Sequence, residues 1–146
     1  MRRALLCAIA AWLSLISAHA QEPKAPLRLA IAGLVHGHVS GFLRAAQARE
    51  DVQIVGVFEP DSTLLHNYGA RYKLAESALF TDLGAMLDRV KPEAVASFTS
   101  TFDHPAVVEA AATRHIAVMM EKPLAVSNAD ADRIKRAADR AGSKCS

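Results

Sequence analysis

Short apolar runs alternate along this chain with longer stretches in which apolar residues recur every three or four positions. The apolar runs at 27–32, 52–58, 94–98 and 115–120 read as strands, and 78–80 as a weak, short one. The stretches at 39–49, 62–71, 83–90, 106–113 and 128–140 have helical spacing. Phe42, Leu43 and Ala46 share one helical face, as do Leu83, Met86, Leu87 and Val90, and then Ile134, Ala137 and Ala138. Boundary residues agree with this division. Asp61, Thr81 or Asp82, and Ser127 stand where a side chain can accept from the first free N–H groups of a helix. Pro92 ends one helix, Pro105 suits the first turn of the next, and Gly142 suits a helix stop.

The strands are continuous apolar runs without apolar–polar alternation, which predicts burial on both faces. Strands of that kind alternating with helices predict an α/β fold, a single domain built on a doubly wound parallel sheet with right-handed crossovers. Such sheets bind ligands beyond the carboxyl ends of their strands. That rule brings four polar segments, 33–38, 59–61, 99–104 and 121–123, to one edge.

Residues 1–20 are read apart from this domain. Arg2 and Arg3 form a basic start, 4–18 is an apolar run too short to span a membrane, and Ala18-His19-Ala20 has a small-x-small cleavage pattern. The expectation is a signal peptide at 1–20, a linker at 21–26 and an exported, periplasmic or secreted product with no membrane attachment after cleavage. Arg2-Arg3 is compatible with either a Sec or a twin-arginine route. Seventeen Lys and Arg against fifteen Asp and Glu, dispersed along the chain, give no nucleic-acid stripe. Of the two cysteines, Cys7 lies in the leader, which leaves Cys145 alone and excludes an internal disulfide or a Cys-based metal site.

The first polar segment, Gly33-Leu34-Val35-His36-Gly37-His38, follows the first strand and precedes a helix, the place where G-x-G-x-x-G turns receive a pyrophosphate. Val35 and His38 stand where the second and third glycines belong, so a turn without nucleotide is the competing reading. His36 and His38, two apart with no nearby carboxylate or Cys, make a poor metal set, and no metal is expected. A neutral imidazole there can instead donate a hydrogen bond to phosphate. Glu59 ends the second strand, where an acid accepts from an adenosine ribose and repels a 2′-phosphate, favouring NAD over NADP. Thr99, Ser100 and Thr101 can offer hydroxyls and N–H groups beside a cofactor, while Asp103 or His104 can simply cap the next helix. Glu121, Lys122 and Pro123 close the last strand. They read either as a solvated ion pair in a loop or as a lysine aimed at cofactor or substrate.

Taken in order, Glu121-Lys122-Pro123-Leu124-Ala125, Ser97-Phe98-Thr99-Ser100-Thr101 with His104 after it, and Val57-Phe58-Glu59-Pro60-Asp61 resemble the N-terminal domain of the Gfo/Idh/MocA oxidoreductases. The resemblance implies a Rossmann domain over 27–146 that binds NAD, or less readily NADP. It further implies hydride transfer on a sugar, inositol or related polyol. It places Lys122 by the nicotinamide, where its charge steadies a developing alkoxide. The substrate domain, which supplies most substrate contacts and the usual acid–base residues, follows the last helix in that family, so the chain alone is expected to be inactive. Surface left open by that domain leads to an expected homo-oligomer. The alternative is a non-catalytic nucleotide- or carbohydrate-binding module of the same fold.

Overall fold

A computed structural model describes residues 25–142. The expected signal peptide at 1–20, most of the linker at 21–26, and Cys145 lie outside the described residues. The strands are β1 (Leu27–Ala32), β2 (Val52–Phe58), β3 (Leu79–Phe80), β4 (Ala94–Ser97) and β5 (Ala117–Met120). The helices are α1 (Val39–Gln47), α2 (Ser62–Tyr72), α3 (Leu83–Val90), α4 (His104–Ala112) and α5 (Asn128–Arg140). All strand pairings are parallel, in the order β3-β2-β1-β4-β5. The chain winds outward from β1 to β3, returns to β4 on the other side of β1, and so creates a switch point between β1 and β4.

Side chains of β1 alternate between two cores, as the twofold strand repeat requires. Leu29 and Ile31 join Val39 and Leu43 of α1 and Leu65 and Tyr72 of α2. Ala30 and Ala32 face Met86 and Leu87 of α3 and Val107 and Ala111 of α4. The small residues let the second pair of helices lie close. Gly56 of β2 does the same, since a Cβ there would stand 3.0 Å from Met86 Cγ. Each large aliphatic side chain buried in these layers contributes roughly 1.5–3 kcal/mol. Asp61, Asp82 and Ser127 cap α2, α3 and α5 by accepting from backbone N–H groups, and Gly142 takes φ +68° just past α5.

The last strand departs from expectation. It was read as buried from residue 115, yet His115 has φ +56° and belongs to a turn, so β5 begins at Ala117. It is also the sheet edge. Val118 and Met120 pack towards α4 and α5, whereas Met119 is 51% exposed on the other face. Among the described residues no helix is long and apolar enough to cross a membrane.

Candidate functional site

The parallel sheet brings the ends of β1, β2, β4 and β5 to one edge, together with the four polar segments singled out from the sequence. At the switch point the chain leaves β1 through Gly33, whose φ of +82° favours glycine. A Cβ there would lie 2.6 Å from the Thr99 backbone nitrogen, so the turn is wedged against the end of β4. Backbone bonds hold it on both sides: Gly33 N–H donates to Phe58 O at 2.8 Å and His36 N–H to Phe98 O at 3.1 Å.

Glu59 completes the lock. It is 3% exposed, and its two carboxylate oxygens accept from the Leu34 N–H at 2.8 Å and the Asp61 N–H at 3.1 Å. Each oxygen keeps a second lone pair for a further donor. Gly33, Val35, Glu59, Pro60, Thr99, Ser100 and the segment 81–84 line a cleft of about 410 Å³ beside this carboxylate. Thr81, Asp82, Leu83 and Gly84 were read only as a helix start. Carrying the strand-end rule to the two-residue β3 would have placed them on this wall.

Other sequence-derived residues sit less openly. The Thr99 hydroxyl pairs with Ser97 at 3.1 Å, and Ser100 Oγ donates to Asp103 Oδ2 at 2.7 Å. Neither Asp103 nor His104 caps α4 with its side chain: Asp103 is engaged by Ser100, and His104 is already the first helical residue. His104 is 1% exposed, and its Nδ1–H donates to Leu124 O at 3.1 Å, tying α4 to the loop that carries Lys122. Its Nε2 is buried without a partner among the described residues. Thr101 opens a short 3₁₀ turn beside Phe102, which is 76% exposed.

The end of β5 forms the other flank. Lys122 and Pro123 are exposed and joined by a cis peptide bond. Glu121 is partly buried, and its Oε1 accepts from His38 Nδ1 at 2.9 Å and lies 4.0 Å from His36 Nδ1. The hydrogen bond from His38 holds the Glu121 carboxyl below its ordinary range. The histidine pair thus has a carboxylate beside it after all, delivered by the fold from a strand that sequence proximity does not reveal. No side chain caps α1, and a Cβ on Gly37 or Gly41 would meet nothing within 4 Å, so the helix N-terminus faces open space. Val35, where a second glycine was sought, is 60% exposed. An extended dinucleotide fits these features: a cleft with a carboxylate at one end, an uncapped helix start in the middle, and a lysine at the other end.

Comparison with known proteins bears on the fold. The family model of the Gfo/Idh/MocA oxidoreductase family, NAD-binding Rossmann fold, matches residues 27–146. No curated protein sequence matches the chain. Among solved structures, an oxidoreductase from Agrobacterium radiobacter in complex with NAD+, L-tartaric acid and magnesium is 22% identical with a TM-score of 0.73. The match covers 82% of this chain and 34% of that one. The WlbA dehydrogenase from Bordetella pertussis, in complex with NADH and UDP-GlcNAcA, is 22% identical with a TM-score of 0.72, covering 82% and 36%. The aldose-aldose oxidoreductase from Caulobacter crescentus, complexed with glycerol, is 24% identical with a TM-score of 0.68, covering 82% and 36%. At these identities the likeness is one of fold, and the chain spans about a third of the length of each.

Proposed function

The chain belongs to the Gfo/Idh/MocA oxidoreductase family through its NAD-binding Rossmann domain, and on that premise we propose that it holds NAD(H) in preference to NADP(H) for hydride transfer on a polyhydroxylated substrate. The observation that carries the cofactor preference is Glu59. Its carboxylate is fixed at the cleft by two backbone donors and retains lone pairs for ribose hydroxyls. A 2′-phosphate would meet that negative charge at close range. Gly33, Leu34, Val35, His36, Gly37 and His38 would run beneath the pyrophosphate at the start of α1. Thr99, Ser100, Thr101 and His104 would border the middle of the cofactor, and Glu121, Lys122 and Pro123 the nicotinamide end. The nicotinamide supplies hydride chemistry when bound. Lys122 supplies a mobile positive charge that steadies an alkoxide on the carbon being oxidised.

A sugar, inositol or related polyol is the substrate class this reading favours, in keeping with the tartaric acid, UDP-GlcNAcA and glycerol held by the structural neighbours. Turnover would require the substrate domain usual in the family. The uncovered face of β5 suits self-association, and residues 1–20 suit export ahead of a 21–26 linker. Calorimetric titration of the full chain with NAD+ and NADP+ tests the cofactor reading. NAD+ should bind more tightly, and Glu59→Gln, which removes the charge, should narrow the gap. Tighter binding of NADP+ to the unaltered chain overturns it.

One observation favours the second reading, a non-catalytic nucleotide- or carbohydrate-binding module. Val35, 60% exposed, stands at the turn position where glycine would let a pyrophosphate approach. If Val35→Gly raises NAD+ affinity from undetectable to measurable, the unaltered chain has lost the nucleotide, and the carbohydrate-binding form of this reading prevails.

A further inference from the structure

His36, His38 and Glu121 come together at the crevice from two separate loops, and one donor atom from each lies within 4.8 Å of the others. The two rings meet nearly edge-on, with centroids 4.8 Å apart and planes at 68°. We propose that these three residues bind a single divalent transition-metal ion of the zinc class, with one coordination position left open to the crevice.

The donor set selects the ion. Two imidazole nitrogens and one carboxylate oxygen suit zinc and its neighbours, whereas magnesium and calcium seek oxygen alone. Three protein ligands with one open position is the arrangement that leaves room for water or a substrate oxygen. Distances fit as well. Bonds of about 2.0–2.2 Å in a tetrahedron set donors about 3.4 Å apart. The separations of 2.9 Å and 4.0 Å from Glu121 Oε1 to the two Nδ1 atoms fall on either side of that spacing. The backbone N–H of His38 approaches His36 Nδ1 at 3.4 Å, so this nitrogen carries a lone pair and no proton, and that long hydrogen bond must give way for the lone pair to reach an ion. The proton between His38 and Glu121 must also leave for an ion to enter.

The backbone holds the site on one side, where His36 N–H is bonded to Phe98 O. His38 is exposed, which gives the ion a path in. None of the three residues lines the cleft beside Glu59; all three lie along the path proposed for the pyrophosphate and nicotinamide, so ion and dinucleotide would share that ground, while ion binding itself needs no nucleotide and does not rest on that reading. A bound ion would join the β1–α1 turn to the end of β5 and stand next to Lys122 in the chain.

The test uses the full chain without a histidine tag, carrying Cys145→Ser, stripped with chelator and titrated with Co(II) and then Zn(II). One saturable equivalent is expected, with visible ligand-field bands for Co(II) that Zn(II) displaces. His38→Asn and Glu121→Gln should each weaken binding by about 100-fold or more, since even groups that merely orient a metal ligand cost 10- to 100-fold. His66→Asn alters the other histidine–carboxylate pair among the described residues, His66 with Glu76, and should leave binding unchanged. Nitrogen-15 spectra of the unaltered chain add a reading that needs no variant: Zn(II) should move the ring signals of His36 and His38 and leave those of His66 and His115 in place. Absence of saturable binding, loss of binding in His66→Asn, retention in Glu121→Gln, or movement of other histidine signals would each overturn the proposal.

Discussion

The two flanks of the crevice are made by different means. At the ends of β1, β2 and β4, polar groups are buried and held by the backbone: Gly33 against Thr99, Glu59 between the Leu34 and Asp61 N–H groups. At the end of β5, polar groups are exposed or partly so and are held by side chains, with His38 on Glu121 and Lys122 reaching into solvent. The first flank is tied into the fold, so changes there should cost stability. The second hangs on exposed side chains, whose loss should cost little. On the proposed function, binding preference would be built into the interior and chemistry placed on an edge.

The sharpest way to break this contrast is Gly33→Ala. A Cβ would meet the Thr99 backbone at 2.6 Å, at a φ that side chains resist. A destabilisation of about 3 kcal/mol or more is expected, readable as a large fall in thermal midpoint. Glu59→Ala comes next. It strands the Leu34 and Asp61 N–H groups, at a cost of about 2–3 kcal/mol in denaturant unfolding. A near-neutral result would mean that water replaces the carboxylate easily and the flank is not locked. Lys122→Ala on the other flank should change stability by no more than about 0.5 kcal/mol. A drop as large as that of Glu59→Ala would erase the distinction between the two flanks.

The smallest effect checks exposed side-chain pairs away from the crevice. The Ser62 carbonyl, and after it the Glu76 carboxylate, hold the His66 imidazolium above its ordinary range. A pKa raised by folding stabilises below the unfolded value of about 6.5 and ceases to do so as pH rises through the folded value. The unaltered chain should therefore out-melt His66→Asn slightly at about pH 5.5, and the gap should close by about pH 8.5. A gap that widens with pH would reverse the assignment.

Much of the fold was legible because its signals are local. The apolar runs of β1 and β2, the caps Asp61 and Ser127, and the helical faces of α1 and α5 need no distant partner to be recognised. Local signals do not say which strand lies at an edge. Val118, Met119 and Met120 look alike in sequence, yet Met119 faces outward because no helix among the described residues covers that side of β5. The left-handed turn at His115 was hidden because a histidine beside an apolar run reads as its first residue. The site divides in the same way. The strand-end positions of Gly33, Glu59 and Lys122 are legible from the apolar runs that precede them. The Glu121–His38 bond spans 83 residues and depends on sheet order, so no local signal announces it.

The position of Glu59 has a consequence for how such a domain can diverge. The same carboxylate that would discriminate between two dinucleotides also staples the first turn to the second strand. A lineage, or a designer, that exchanges it for a phosphate-accepting residue must in the same step provide new acceptors for two backbone N–H groups. On the proposed function, cofactor choice and fold integrity meet in one residue, and a switch of preference would be a two-site problem from the outset.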